Sequence, residues 1–183
     1  VQWKVQATGD ARTGAESMRG IHTAREKILG TNHPDTLSSR SNMAHLWLQA
    51  EEPERALREF TASMPVLNEV LGPDHPLTLN TIAGLLGARC ALDDRDGLLE
   101  AWADLRRRQE RVLGALHPDT LLTRNNWAGQ LGAAGDPAAA VRAFEELIPI
   151  LVEALGEGHP YTTLARRNQE AWRSPNAESA NSS

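Results

Sequence analysis

The sequence predicts an all-α protein in which antiparallel helix pairs stack into an α-solenoid. The first observation is an internal repeat, because Leu-Gly pairs begin at positions 29, 71, 113 and 155, 42 residues apart each time. The second observation is that a His-Pro pair follows each of them, at His33, His75, His117 and His159. A fixed period of about 20–50 residues is typical of a repeat array, in which one small unit stacks on the next.

Residues 117–156 show why each unit should consist of two helices. Pro118 suits the first position of a helix, where the N–H is unpaired in any case, and Asp119 suits the first turn, where the dipole favours an acid. Apolar residues then recur at helical spacing, over Leu121, Trp127, Ala128 and Leu131 and again over Ala140, Phe144, Leu147, Ile148, Leu151 and Leu155. Gly135-Asp136-Pro137 separates the two stretches, and Gly156 is suited to a left-handed helix end. The predicted unit is therefore helix, tight turn, helix and loop.

The period places helices along the whole array, which we expect over residues 1–172. The predicted helix pairs are 33–49 with 54–71, 76–92 with 96–113, and 118–134 with 138–155, giving full repeats over 33–71, 76–113 and 118–155. A half repeat over 1–29 precedes them, with a break predicted at Gly9-Asp10 because that pair stands three periods before Gly135-Asp136. A capping helix is expected over 160–172 and a disordered tail over the polar residues 173–183. Since the chain starts at Val1 rather than Met, we expect it to be part of a longer protein.

The stretch His117-Pro118-Asp119-Thr120 could carry chemistry or only mark the start of a helix. Neighbouring copies should lie about 10 Å apart or more, since packed helices sit about 8–10 Å from each other. Zinc–nitrogen bonds are about 2 Å long, so the four histidines cannot share a metal ion. The repetition therefore indicates helix starts, and we expect neither a metal site nor a cofactor.

Composition argues against several classes of function. The formal net charge is −5 and aromatic residues make up only 4% of the chain, whereas nucleic-acid binders usually carry a basic excess or a stacking platform. No apolar run approaches the length of a membrane span, and the single Cys90 cannot form an internal disulfide. We therefore expect a cytoplasmic protein that binds neither nucleic acid nor membrane.

Motifs of catalysis are missing from the sequence. A phosphate-binding loop needs Gly-Lys-Ser/Thr, and neither Lys4 nor Lys27 has that context. Cys90 lies in an apolar helical stretch, which is typical of a buried small hydrophobic residue rather than of a nucleophile. The arginines at 106–108 and 111 are interspersed with acids, which indicates a solvated ion-pair face, with a weak acidic partner as the alternative. The sequence thus predicts a protein that is not an enzyme.

The helix-turn-helix unit resembles a tetratricopeptide repeat (TPR). The signature positions are occupied by Asn126-Trp127-Ala128-Gly129-Gln130-Leu131-Gly132, then Gly135-Asp136, Ala140 and Phe144. The longer period and the wording Leu-Gly-x-x-His-Pro-x-Thr-Leu-x-x-Arg-Asn-Asn are similar to the kinesin-light-chain-type variant, which also occurs in bacterial proteins. The resemblance covers residues 1–172 and implies a right-handed superhelix that binds a protein or a peptide. The middle repeat departs most, with Ile82-Ala83-Gly84 in place of Arg124-Asn125-Asn126.

The resemblance also implies a binding surface, because in this family the first helix of each pair lines a concave groove. Carried over column by column, the groove residues are Asn42, His45, Asn80, Asn125, Asn126, Gly129, Arg167 and Asn168. An amide both donates and accepts, so it suits an extended peptide backbone. The alternative is that these side chains only bond the neighbouring helix and tie repeat to repeat. Ser41 and His45 stand where the carboxylate clamp of chaperone-binding relatives has Lys and Asn, so a chaperone tail is not expected.

We therefore predict an interaction module, the scaffold or sensor part of a larger protein, that captures a protein or peptide in the groove. The alternative is self-association into a homo-oligomer or packing against other domains of the same protein, because a truncated array exposes an apolar end near Val1–Val5. Gly87 and Gly129 share one predicted groove column, although a glycine inside a helix costs about 1 kcal/mol relative to alanine. Either the neighbouring helices approach too closely for a side chain, or the groove is kept open.

Overall fold

The computed structural model describes residues 2–173, with side chains from residue 10 onwards, and every regular element in that range is an α-helix. The helices are α1 (Gln2–Leu29), α2 (Pro34–Gln49), α3 (Pro53–Val70), α4 (Pro76–Ala91), α5 (Leu98–Val112), α6 (Pro118–Ala133), α7 (Pro137–Leu155) and α8 (Pro160–Arg173). The all-α prediction is confirmed, and α2 to α8 begin and end within two residues of their predicted bounds. Arg173 still belongs to α8, and the rest of the predicted tail, 174–183, lies outside the described residues. Among the described helices, none combines the length and hydropathy that a membrane span needs.

The predicted break at Gly9-Asp10 is wrong, because α1 runs without interruption from Gln2 to Leu29. In the other repeats the residue of that column ends the first helix with a positive φ, at Glu51, Asp93 and Gly135. Gly135-Asp136 is followed by Pro137, which begins α7, whereas Gly9-Asp10 is followed by Ala11. Proline disfavours the helical conformation of the residue before it, while alanine is the best helix former. Without the proline, the glycine alone does not stop the helix.

The His-Pro pairs begin helices, as predicted. His33, His75 and His117 are the N-cap residues of α2, α4 and α6, and Nδ1 of each accepts a hydrogen bond from the backbone N–H two residues later. His159 makes the same bond with the N–H of Tyr161, at 3.2 Å. Since the first N–H groups of a helix have no partner within the helix, each histidine satisfies one of them.

Each corner before these helices contains a glycine, and two of the corners are also closed by a threonine. Gly30, Gly72, Gly114 and Gly156 all have φ between 90° and 96°, a region that favours glycine. The ψ of Gly156 is 161°, so this residue is extended rather than in the left-handed helical conformation that the sequence suggested. The hydroxyls of Thr78 and Thr162 donate to the carbonyl oxygens of Gly72 and Gly156, at 2.8 and 2.9 Å. Each of these two corners is therefore held by atoms within seven residues of chain.

The chain divides into two compact units, Val1–Leu98 and Leu99–Ser183. In the N-terminal unit α2 packs against α1, α3 and α4, and α3 also packs against α4. The core of this unit is formed by Ala15, Met43, Ala44, Trp47, Ala56, Phe60 and Ala88. Helix α2 therefore lies at the centre of the N-terminal unit.

The C-terminal unit has its core around α7, which packs against α6 and α8. The buried residues of that core are Leu121, Ala128, Phe144, Leu147, Leu151 and Ala165. The apolar stripe predicted on α7 is confirmed, with Ile148 and Leu155 partly buried at its edge. Helices α6 and α8 also contact each other directly, which brings two first helices of successive repeats side by side.

Candidate functional site

The site residues expected from the sequence lie on the first helices of the repeats. Asn42 and His45 are on α2 and Asn80 is on α4, all in the N-terminal unit. The other five are on α6 and α8 in the C-terminal unit: Asn125, Asn126, Gly129, Arg167 and Asn168. The structure therefore presents two groups of side chains, one in each unit.

In the N-terminal unit, His45 and Asn80 bond to each other. Nε2 of His45 lies 2.9 Å from Oδ1 of Asn80, and it donates, because a carbonyl oxygen only accepts. The hydroxyls of Ser41 and Thr81 lie 3.0 Å apart and join the same two helices. Asn42 is exposed and forms no hydrogen bond to another described residue. His45 and Asn80 thus tie α2 to α4, and Asn42 is left with its full hydrogen-bonding capacity.

In the C-terminal unit, three asparagine amides form a row across α6 and α8. Nδ2 of Asn168 donates to Oδ1 of Asn125, and Nδ2 of Asn125 donates to Oδ1 of Asn126, both at 3.2 Å. Asn125 is only 5% exposed, while Asn126 and Asn168 are half-buried. Among the described residues, no partner is present for Nδ2 of Asn126 or Oδ1 of Asn168. The row therefore ends in one unused donor and one unused acceptor.

The surface beside this row is open. A Cβ atom built on Gly129 would have no atom within 4 Å, so no neighbouring helix requires a glycine there. Arg167 is exposed, and its guanidinium has neither an ion pair nor a hydrogen bond to the described residues. At Gly87, in the same column of the N-terminal unit, a Cβ would lie 3.3 Å from Cδ2 of Leu48. The two glycines of the column therefore have different surroundings.

Gly84 occupies the middle-repeat position of the column that otherwise reads Asn42, Asn126 and Asn168. A Cβ at Gly84 would overlap Cζ of Phe60 and lie 2.7 Å from Cε1 of His45. Phe60 has no exposed surface, and the rings of His45 and Phe60 meet edge to face with centroids 4.9 Å apart. An asparagine does not fit in this space. The glycine that interrupts this column of asparagines is therefore explained by packing against Phe60 and His45.

Sequence reasoning missed a cleft in the N-terminal unit, which we call the basic cleft. It is lined by Arg19, Met43, Trp47, Arg55, Arg58 and Glu59. The Arg55 guanidinium carbon lies 4.7 Å from the ring centroid of Trp47, a cation–π contact. These side chains come from α1, α2 and α3, and only Arg58 recurs at a repeat spacing, as Arg142, so neither spacing nor period reveals the cleft.

The arginine cluster of α5 is only in part the ion-pair face that the sequence indicated. Arg107 and Arg108 both pair with Asp104, at 3.3 and 3.7 Å. Arg106 instead lies over the ring of Trp127, 4.2 Å from its centroid. Cys90 is partly buried rather than buried. In the part of the chain with described side chains, no group of three or more His, Cys, Asp or Glu residues is arranged to hold a metal ion.

Comparison with known proteins agrees with this architecture. The family described as "Tetratricopeptide repeat" matches residues 36–77 and 120–161. No curated protein sequence matches the chain. The chain resembles the crystal structure of a Podosopora anserina protein described as a putative kinesin light chain with nearly identical TPR-like repeats, with a TM-score of 0.71, 19% identity, and coverage of 98% of this chain and 86% of that one. A form of the same protein with one substitution gives a TM-score of 0.73 at the same identity and coverage.

A second protein, BtubC (BKLC) from P. vanneervenii, has a TM-score of 0.69 at 17% identity, covering 97% of this chain and 77% of that one. These similarities confirm the predicted α-solenoid of helix pairs. Residues 36–77 and 120–161 thus match the tetratricopeptide repeat family, and the chain shares the fold of kinesin-light-chain-like TPR proteins.

Proposed function

We propose that this chain is a non-enzymatic, cytoplasmic interaction module that binds an extended peptide of a protein partner on the first helices of its repeats. TPR repeats generally mediate protein–protein interaction, and scaffolds of this type are generally not enzymes. The observation that carries the proposal is the row of amides on α6 and α8. It ends in an unused donor at Asn126 and an unused acceptor at Asn168.

The chemistry of this row suits a peptide backbone. A segment in extended conformation has unpaired N–H and C=O groups, which can bond to Oδ1 of Asn168 and Nδ2 of Asn126. Asn125, held between the two, fixes the orientation of both amides before the ligand arrives, which reduces the entropy lost on binding. The open space over Gly129 admits the backbone of the ligand, and Arg167 can pair with an acidic side chain.

The N-terminal unit contributes differently in this proposal. Asn42 is exposed and can bond a ligand directly. Nε2 of His45 is bonded to Oδ1 of Asn80, and we assign these two residues to holding α2 and α4 in register. In this proposal Asn42, Asn126 and Asn168 contact the ligand directly. His45 and Asn80 position the helices.

A selection from a random peptide library displayed on phage tests the proposal. We expect the selected peptides to bind the wild-type chain saturably and to lose about tenfold or more in affinity for Asn126→Ala/Asn168→Ala. The matched control is Asn68→Ala, an exposed asparagine on α3, which should leave affinity unchanged. Peptides that bind both variants as tightly as the wild type would place the binding surface elsewhere.

The alternative function, self-association, is favoured by one observation on α1. The side chains of Ile21 and Ile28 are 46% and 80% exposed, unusual for isoleucine. If α1 is an interface between copies of this chain, the mass measured by light scattering should rise with concentration, and Ile28→Ser should abolish the rise. A constant monomer mass excludes this alternative and leaves peptide capture unaffected.

A further inference from the structure

The basic cleft lies between α1 and α3 of the N-terminal unit. Helices α1 and α3 both pack against α2, and the floor of the cleft is formed by Met43 and Trp47 of α2. These two side chains are only 4% and 5% exposed. Arg19 stands on the α1 side, and Arg55 and Arg58 on the α3 side. The cleft therefore has an apolar floor and cationic walls.

Among the described residues, the positive charge of the cleft is only partly neutralised. Its one acidic lining residue, Glu59, is paired with Arg40 at 2.8 Å, and Arg55 is paired with Glu52 at 2.9 Å while it covers Trp47. The guanidinium groups of Arg19 and Arg58 have no ion pair or hydrogen bond to the described residues. Two unpaired cations therefore flank a cleft in a chain whose net charge is −5.

Two of the three cleft arginines have no counterpart in the C-terminal unit. In the C-terminal unit, 84 residues further along, Ala103 and Ala139 stand in place of Arg19 and Arg55. Only Arg58 has a counterpart, Arg142, which is also exposed. The C-terminal unit forms without counterparts of Arg19 and Arg55, so the helix packing itself does not require these two arginines.

We propose that the basic cleft binds an acidic segment of a protein partner. Guanidinium groups pair with carboxylates through two parallel hydrogen bonds, so Arg19 and Arg58 can each receive an Asp or Glu side chain. The stacked Arg55 and Trp47 offer a flat surface for the aliphatic part of the same segment. The cleft shares no residue with the amide row on α6 and α8.

A fluorescein-labelled hexaglutamate peptide tests the proposal by fluorescence anisotropy with the full chain. We expect saturable binding that weakens with added salt, and no binding of hexaglutamine. Arg19→Glu/Arg58→Glu should weaken binding at least about tenfold, and Arg19→Gln/Arg58→Gln by a smaller factor. The control is Arg142→Glu, the matched position in the C-terminal unit, which should change affinity by less than about twofold.

Three results would overturn the proposal. One is the absence of saturable hexaglutamate binding by a wild-type chain that melts cooperatively. Another is an equal loss of affinity in Arg142→Glu, which would indicate attraction by overall charge. The third is tighter binding of oligothymidylate or of phosphatidylserine vesicles through the same two arginines, which would assign the cleft to a nucleic acid or a lipid surface. Because the substituted arginines are all at exposed positions, thermal unfolding of each variant should match the wild type.

Discussion

The side-chain amide of Asn168 donates a hydrogen bond to Oδ1 of Asn125, 3.2 Å away, and so joins α8 to α6. Asn125 therefore holds the two helices together, while Nδ2 of Asn126 and Oδ1 of Asn168 have no partner among the described residues. The two alternatives for these residues, ligand contact and a tie between repeats, are therefore not exclusive. The buried middle amide holds the helices, and the outer amides keep the capacity to bind a peptide.

Asn125→Ala should destabilise the fold by about 1–3 kcal/mol, because it leaves the half-buried amides on either side without their shared partner. Asn42→Ala removes an exposed asparagine with no partner among the described residues and should change stability by less than about 0.5 kcal/mol. Urea unfolding followed by circular dichroism measures both. Equal effects at the two positions would contradict a structural role for Asn125.

Two helix-interior glycines should respond to alanine with opposite signs. At Gly129 the added methyl meets no atom within 4 Å, so Gly129→Ala should stabilise by several tenths of a kcal/mol up to about 1 kcal/mol. At Gly84 the methyl overlaps Phe60, so Gly84→Ala should destabilise by about 1–3 kcal/mol. Thermal unfolding of the two variants side by side provides the check, and a destabilised Gly129→Ala would disprove the open surface.

The overlap at Gly84 should be relieved by shortening Phe60. Phe60→Leu removes the ring atoms that the methyl group introduced by Gly84→Ala would meet, so the double variant should be more stable than the sum of the two single effects predicts. We expect a favourable coupling of about 0.5–2 kcal/mol in a double-mutant cycle. Additive effects would mean that Gly84→Ala destabilises the fold through overlap with His45, the other side chain near Gly84.

The histidines that cap the helix N-termini should contribute to stability through their hydrogen bonds. His117→Ala leaves the N–H of Asp119 without its side-chain acceptor and should cost about 0.5–2 kcal/mol. His117→Asn should recover most of the loss, because asparagine is among the preferred N-cap residues. Denaturant unfolding of the three proteins tests this, and an asparagine variant as unstable as the alanine variant would mean that the imidazole acts by packing.

The loop after α4 contains a carboxylate with a perturbed titration. The hydrogen bond from Arg89, with Nε 2.7 Å from Oδ2, lowers the pKa of Asp94 below its ordinary value. Because the pKa is depressed in the folded state, the stability contributed by this pair is present above the ordinary Asp pKa. It is lost as the pH falls through the depressed value. Carboxyl-carbon NMR should show the Asp94 midpoint moving upward in Arg89→Gln, and an unchanged midpoint would contradict the assignment to Arg89.

The sequence was sufficient for the features that repeat. The period, the prolines at helix starts and the apolar stripes are set by local chemistry, so α2 to α8 could be placed within two residues. At Gly9, the repeat position alone was misleading, because Ala11, a good helix former, stands where Pro137 begins α7 in the repeat containing Gly135.

The candidate sites were less accessible to sequence reasoning. Column position brought Asn125 and Asn168 onto neighbouring helices, but which atom donates to which depends on side-chain geometry. The basic cleft brings together Arg19 and Arg58 from α1 and α3, 39 positions apart and outside any shared column. Such a juxtaposition arises only from the packing of both helices on α2.

The corners between repeats have a consequence for how this chain can change. Where Gly72 or Gly156 ends a helix and the next His-Pro pair begins another, the stabilising bonds come from that corner alone. Recombination at the Leu-Gly boundaries that contain Gly72 and Gly156 would therefore preserve these two corners. The helices themselves are not interchangeable in the same way. Gly84 packs against Phe60, whereas Asn126, at the equivalent position of another repeat, bonds to Asn125, so the two helices need different neighbours. The local bonds at these corners thus permit the gain or loss of a 42-residue segment. The side-chain contacts between the helices that would then become neighbours restrict it.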